Sequence, residues 1–333
     1  MQPKLLNVLA CPRCLSRLAC IPQAKSANEE IVSGVLQCNH CRRSYPIEHG
    51  IPRFVDRDNY ASSFGYQWNQ FRLEQLDSYN HTKLSEKRFY SETAWTKDWL
   101  RGKWILDAGC GAGRFLDVAS QTEAEVVGLD ISDAIDAAKA SLQGRKNLHF
   151  VQASIFELPF RNGAFDACYS IGVIQHTPDP RRALRSLPRV LKAGGRIAVT
   201  IYERKRWTRL YPKYLLRPIT KRVKKKRLLR VINGSMPVFF PLTNVLFRLP
   251  LLGRFFVFAI PVANYTGEPQ LSAKQRYDWA LLDTFDMFSP QYDQPQTERE
   301  VTAVLSAEGI SEIRRLPNPG VNLVGRGTGG EKR

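Results

Sequence analysis

Acidic residues are the scarce charge in this 333-residue chain: 31 Asp and Glu stand against 49 Lys and Arg, a net charge of +18. The shortage is local. Residues 203–230 hold 13 Lys or Arg and one acid, Glu203, which is +12 of the total. A basic block of this kind is either an electrostatic footprint for an anionic partner or a solvated loop. Long unbroken apolar runs are missing too. No stretch reaches the ~18 charge-free apolar residues of a spanning helix. The nearest, 236–263, is interrupted by Arg248, Arg254, Pro237, Pro241, Pro250 and Pro261. The opening MQPKLLNVLAC is too short in apolar residues for a secretory signal. Internal repeats are absent. What is present suffices for a core: 43% hydrophobic residues exclude wholesale disorder, and the length allows two or three compact units.

Seven cysteines cannot all pair with one another. Four of them form Cys11-Pro-Arg-Cys14 and Cys38-Asn-His-Cys41, 23 residues apart. This pattern favours a metal in a reducing, cytoplasmic compartment over a disulfide framework. Two such turns set four thiolates at the corners of a tetrahedron, which Zn²⁺ accepts without strain. With a cysteine at every corner the site is closed and structural. Residues 1–56 are too few for a firm core of their own, so ligation supplies much of their stability. His40 reads as a bystander, and Cys20, Cys110 and Cys168 as structural. The stretch LLNVLACPRCLSRL…LQCNHCRRSYPIEHGIPRF, about residues 4–55, resembles the zinc-ribbon family typified by the small activator subunit of tRNA, rRNA and protein methyltransferases. That resemblance implies a methyltransferase elsewhere in the chain.

Residues 57–102 are rich in aromatics and charge and are expected to form a helical lid or linker, with Trp68 and Phe71 of FGYQWNQF over the site or in a core. Residues 103–202 alternate β-branched runs (KWILDAG, EVVGLD, LHFVQA, FDACYSI, GRIAVTIY) with helical stretches. This alternation predicts a parallel sheet wound on both faces. A mostly helical insertion, 203–294, interrupts it. The rhythm resumes over 295–328, where Thr297 and Glu300 make a capping-box pattern before a helix ending near Gly309. Two strand-like runs, SEIRRLP and GVNLVGRG, follow, and the tail GTGGEKR is expected to be loose.

ILDAGCGAGRF places Gly109, Gly111 and Gly113 between a strand and a helix. Glycines let a backbone turn tightly and approach a ligand where a Cβ would clash. Asp130 closes the next strand, placed for a carboxylate to hold ribose hydroxyls. Asp107, just before the loop, would repel a pyrophosphate but suits a cationic amino-acid group. With these residues the chain resembles class I S-adenosylmethionine-dependent methyltransferases, over about 103–202 and 297–325. The segment LPFRNGAFDACYSIGVIQHTPDPRRALRSLPRVLKAGGRIAVTIY is similar to the ubiquinone/menaquinone-biosynthesis (type 11) branch. The resemblance implies a Rossmann-like seven-stranded α/β methyltransferase sheet. It also implies that Asp107, Gly109, Gly111 and Gly113 line the methionine end of S-adenosylmethionine and that Asp130 binds its ribose. Ser154 and Ile155 flank the adenine, and Ile131 packs on it. Many relatives carry an acid at the Ser154 position.

Methyl transfer from a sulfonium needs alignment and dryness more than covalent help. A hydroxyl or carbon-acid acceptor also needs a base. His176, after the fourth strand, is the candidate, with Asp179 and Tyr169 behind it; the alternative is a histidine that fixes its loop. Asp283, Asp286, Tyr292 and Asp293 are expected near the acceptor. The basic run and the Phe- and Leu-rich 236–263 leave the acceptor open. One reading is a small or lipid-linked acceptor at an anionic membrane surface, on its inner face. A second is tRNA or rRNA gripped by the basic run, with Trp207, Tyr211 and Tyr214 stacking on bases. Others are a soluble small molecule and a non-catalytic binding scaffold. Oligomeric state is left open.

Overall fold

The structure, a computed structural model, describes residues 1–55 and 71–328. Phe64, Tyr66 and Trp68 of the expected lid, and the end of the tail, lie outside the described residues.

The N-terminal segment is a four-stranded antiparallel sheet in the order β1-β2-β3-β4: β1 Leu18–Lys25, β2 Ile31–Cys38, β3 Ser44–Glu48, β4 Ile51–Pro52. Helix α1 (Leu84–Thr93) and two short helical turns precede the main sheet. That sheet comprises β5 Trp104–Ala108, β6 Glu125–Asp130, β7 Leu148–Gln152, β8 Phe165–Ile171, β9 Leu191–Ile201, β10 Ile310–Arg315 and β11 Val321–Gly327. Between its strands run α2 (Arg114–Ala119), α3 (Ala134–Ser141) and α4 (Pro180–Ser186), then α5 (Pro212–Thr220), α6 (Lys225–Leu246), α7 (Gly253–Ala259), α8 (Ala273–Phe288) and α9 (Glu298–Ala307).

The seven strands lie in the order β10-β11-β9-β8-β5-β6-β7. β7, β6, β5, β8 and β9 pair in parallel, and β11 is antiparallel to both of its neighbours. The chain enters at β5, winds out to β7 and returns to β8 on the other side of β5. A crevice therefore opens past the carboxyl ends of β5 and β8, where ligands sit in such sheets. This is a Rossmann-like seven-stranded α/β fold. β9 starts earlier than its β-branched run: Leu191 already pairs with Phe165, and a register shift then passes through Gly194 and Gly195. Helix α9 carries the full capping box, with the Thr297 side chain accepting from the Glu300 N–H and the Glu300 carboxylate accepting from the Thr297 N–H.

Each face of the main sheet is covered by something different. On one, Leu5, Leu9, Leu36 and Ile47 of the N-terminal segment share a continuous core with Leu106, Val127, Leu129, Val151 and Phe160. On the other, Phe89, Trp95 and Leu100 pack with Ile105, Val126, Leu116 and Tyr169. Arg53 fastens the first arrangement. It is buried, forks onto Asp136 at 2.7 and 3.1 Å, lies 3.2 Å from Glu48 and donates to Gln152 Oε1 at 2.6 Å. Removing one side of such a pair strands the other charge. Arg53→Met is expected to lose about 3 kcal/mol, the low end for a buried pair because Asp136 and Glu48 are partly wet. Denaturant unfolding checks this; a change within experimental error would mean that the clamp is ornamental.

Candidate active site

The Sγ atoms of Cys11, Cys14, Cys38 and Cys41 all lie within 4.8 Å of one another. The two turns that carry them are near-copies. The residue after each second cysteine, Leu15 or Arg42, is left-handed, at φ +59° and +60°. Its N–H donates to the first cysteine's carbonyl, at 2.8 Å to Cys11 and 3.2 Å to Cys38. Non-glycine residues rarely adopt this backbone, and here it curls both turns onto one centre. The backbone N–H of Ser16, with its hydroxyl, pulls the Cys14 thiol down to about 5, toward the thiolate a metal needs. The Tyr45 hydroxyl lies 3.3 Å from Cys11 Sγ, placed to donate to a thiolate. Four sulfur donors at this spacing fit Zn²⁺ and leave no open position. His40 is exposed and outside the cluster, while Cys110 and Cys168 are buried away from it.

The glycine loop follows β5. Its Gly109 has φ +99°, and a Cβ there would come within 2.3 Å of Val173 Cγ1, so both backbone and space demand glycine. The Gly109 and Cys110 N–H groups donate to the Leu129 carbonyl at 2.7 and 3.0 Å, which pulls the loop against the end of β6. There Asp130 Oδ2 accepts from the Gly111 N–H at 2.9 Å, and Oδ1 accepts from the Ser132 N–H and hydroxyl at 2.8 and 2.7 Å. Burial raises the Asp130 carboxyl, and these donors oppose the rise. Oδ2 is left the freer oxygen.

These elements wall a cavity of about 300 Å³. Gly109, Gly111, Asp130, Ile131, Ile155 and His176 line it. Three residues expected beside them do not. Asp107 is buried beneath the loop, its Oδ2 without a hydrogen-bond partner among the described residues. Burial pushes its carboxyl well above the usual range, against the nearby Tyr169 hydroxyl. Gly113 caps α2, and its Cβ position faces Leu142 Cδ1 at 2.8 Å. Ser154 is half-buried, and its hydroxyl accepts from the Phe156 N–H at 3.2 Å.

His176 sits in the 3₁₀ turn after β8. Its Nδ1 lies 3.1 Å from the Tyr292 carbonyl. A carbonyl only accepts, so Nδ1 is the donor in this contact. Its ring meets Tyr202 edge-on, with centroids 5.5 Å apart. Asp179 is committed to capping α4, accepting from the Arg182 N–H at 3.0 Å, and Tyr169 is fully buried in the sheet.

The insertion also reaches the cavity. Asp283 and Asp286 of α8 line it, whereas Asp293 is buried beside Lys213 at 3.0 Å. Phe71 packs in the insertion's own core. Sequence reasoning missed Arg88, Arg114 and Tyr202, which line the cavity with Asp283 and also line a second one of about 570 Å³. Only Arg114 had a usable signal, its place directly after the glycine loop. Its guanidinium lies over the rings of Trp279 and Phe115, 5.1 and 5.3 Å from their centroids, and donates to Gln75 and Ser85. Burial, then the charge of Arg88, lowers it to about 10.

Residues 106–199 match the family described as methyltransferase domain. The chain carries a methyltransferase domain. Residues 2–50 match the family described as Trm112p-like protein, so the ribbon is a Trm112p-like domain. An uncharacterised chloroplastic methyltransferase of Arabidopsis thaliana is 28% identical over 225 residues, 59% of this chain and 62% of that one. The demethylmenaquinone methyltransferase of Lactococcus lactis is 39% identical over 105 residues, 29% of this chain and 41% of that one. The chain thus spans less than two thirds of these relatives. Among solved structures, a complex of the Haloferax volcanii Trm112 methyltransferase activator with a methyltransferase is 14% identical with a TM-score of 0.44, covering 81% of this chain and all (100%) of that one.

The cavity of the methyltransferase domain suits S-adenosylmethionine. Asp130 offers an acceptor for ribose, and Leu129, Ile131, Ala153 and Ile155 give apolar walls for a flat base.

Proposed function

We propose that the chain transfers a methyl group from S-adenosylmethionine to a small or lipid-linked acceptor, working at an anionic membrane surface. The observation that carries the methyl-transfer half is the joint arrangement of the glycine loop, Asp130 and His176 around one cavity. When bound, S-adenosylmethionine supplies an electrophilic methyl group on a sulfonium sulfur. Asp130 accepts from the ribose, Ile131 and Ile155 hold the base, and Gly109 and Gly111 face the amino-acid end, with Asp107 buried beneath them. Zn²⁺ on Cys11, Cys14, Cys38 and Cys41 is structural. His176 is the base: its Nδ1–H is held by Tyr292, which turns the basic Nε2 to the task of taking the acceptor's proton. Asp286 lines the same cavity. RNA is the alternative acceptor. It is less well supported, because Tyr211 packs on Phe258 with centroids 4.5 Å apart and Tyr214 donates to Asp293, which leaves only Trp207 for stacking.

The test uses methyl-labelled S-adenosylmethionine with a total lipid extract and, separately, total RNA. Label in the lipid fraction is expected; label in RNA would move the reading to the alternative. With the labelled acceptor in hand, His176→Ala should lower turnover by roughly 10²- to 10⁴-fold at unchanged cofactor affinity. Near-normal turnover would reduce His176 to a loop-fixing residue.

A further inference from the structure

The insertion's outer surface carries chemistry that the site does not use. Residues 204–267 contain 15 Lys or Arg and no acid. Three of these cations work inside: Lys213 pairs with Asp293 at 3.0 Å, Arg217 donates to the Met287 and Pro290 carbonyls, and Lys225 donates to that of Ser289. Arg222, Lys224, Lys226, Arg227 and Arg230 are exposed, with no acid in the segment to neutralise them.

Large apolar side chains stand beside them. Leu215 is 68% exposed, Ile219 67%, Leu251 98% and Phe255 62%. Helix α5 is inverted relative to a helix in water: its one buried residue is Arg217, and its leucines face out. In α6 the stripe Leu228, Ile232 and Met236 packs on α8, so its core contacts are already made. Val231, Val238 and Val245 nonetheless stand exposed on the same helix. A domain surrounded only by water gains nothing from so large an apolar surface. RNA would engage the cations and leave the leucines wet. A bilayer engages both: anionic head groups meet Lys and Arg while Leu and Phe enter the interface. Among the described residues no helix is long and apolar enough to cross a membrane, so these helices would touch it from one side.

We infer that the outer face of α5, α6 and α7 is a docking surface for an anionic lipid bilayer. It deepens the membrane half of the function proposed above, and rests on the methyl-transfer half only for what is delivered. The same insertion supplies Tyr265, Trp279, Asp283 and Asp286 to the two cavities, so docking brings a lipid-linked acceptor to the element that walls the site.

Flotation of the full zinc-loaded chain on phosphatidylcholine vesicles, with and without phosphatidylglycerol, tests this. The protein is expected to float with the anionic vesicles. Two variants, L215E/I219E/F255E and R222S/K224S/K226S/R227S, are each expected to bind them roughly tenfold or more weakly. Melting curves and S-adenosylmethionine binding, read on the same samples, should stay as in the parent. An unchanged parent that fails to float overturns the inference. So does an apolar variant that floats as well as the parent, or salt-sensitive RNA binding without vesicle binding. Flotation without cofactor binding would sink the methyltransferase reading and leave the docking intact.

Discussion

Cys38→Ser, or removal of zinc by a chelator, is expected to destabilise the methyltransferase sheet and not only the ribbon. The reason is the shared core. Leu5, Leu9, Leu36 and Ile47 cover Leu106, Val127, Leu129 and Phe160, so a ribbon that lets go exposes one face of the sheet. Structural zinc contributes on the order of 10 kcal/mol to small domains, comparable with the whole margin of a typical fold at roughly 5–15 kcal/mol. If only about 3–5 kcal/mol of that reaches the sheet, the melting temperature falls by roughly 6–20 °C, at about 2–4 °C per kcal/mol. Circular dichroism melts with and without chelator read this directly, and cofactor binding should be lost alongside. A sheet that melts at its original temperature after the ribbon has unfolded would show that the two units stand independently.

The second large effect is expected at the loop and the β6 carboxylate. Asp130→Ala removes the proposed ribose acceptor and the anchor of the Gly111 N–H at once. One or two charge-assisted hydrogen bonds at roughly 1.5–3 kcal/mol each amount to about 3 kcal/mol, or a cofactor affinity at least roughly 100-fold weaker. Gly109→Ala meets two obstacles, a backbone at φ +99° and Val173 Cγ1 within 2.3 Å of the new methyl. It is expected to abolish binding while leaving the far strands folded. Calorimetric titration of both variants checks the pair. Binding within a few-fold of the parent in Asp130→Ala would mean that the ribose is held elsewhere.

The strands β5, β6 and β8 stand where their β-branched runs predict them, because parallel central strands are apolar on both faces and these three end at glycine or aspartate turns. The capping box at Thr297 was legible for a similar local reason. The docking of the ribbon on β7 was not. It depends on Arg53 meeting Asp136 and Gln152, residues 83 and 99 positions away, and no local pattern encodes that meeting. The basic block shows the limit most plainly. Charge counting treats its 13 cations alike, yet Lys213, Arg217 and Lys225 hold the 287–293 segment, whose Tyr292 in turn holds His176. Arg88 and Tyr202 escaped notice because they belong to no motif; the fold alone brings them to the cavity.

A calorimetric titration of the zinc-loaded parent chain with S-adenosylmethionine decides whether the cavity is a cofactor site. Saturable binding of one cofactor per chain is expected, competed by S-adenosylhomocysteine and lost in Asp130→Ala. A folded, metal-loaded chain that gives no binding signal would contradict it and leave a scaffold built on a methyltransferase fold.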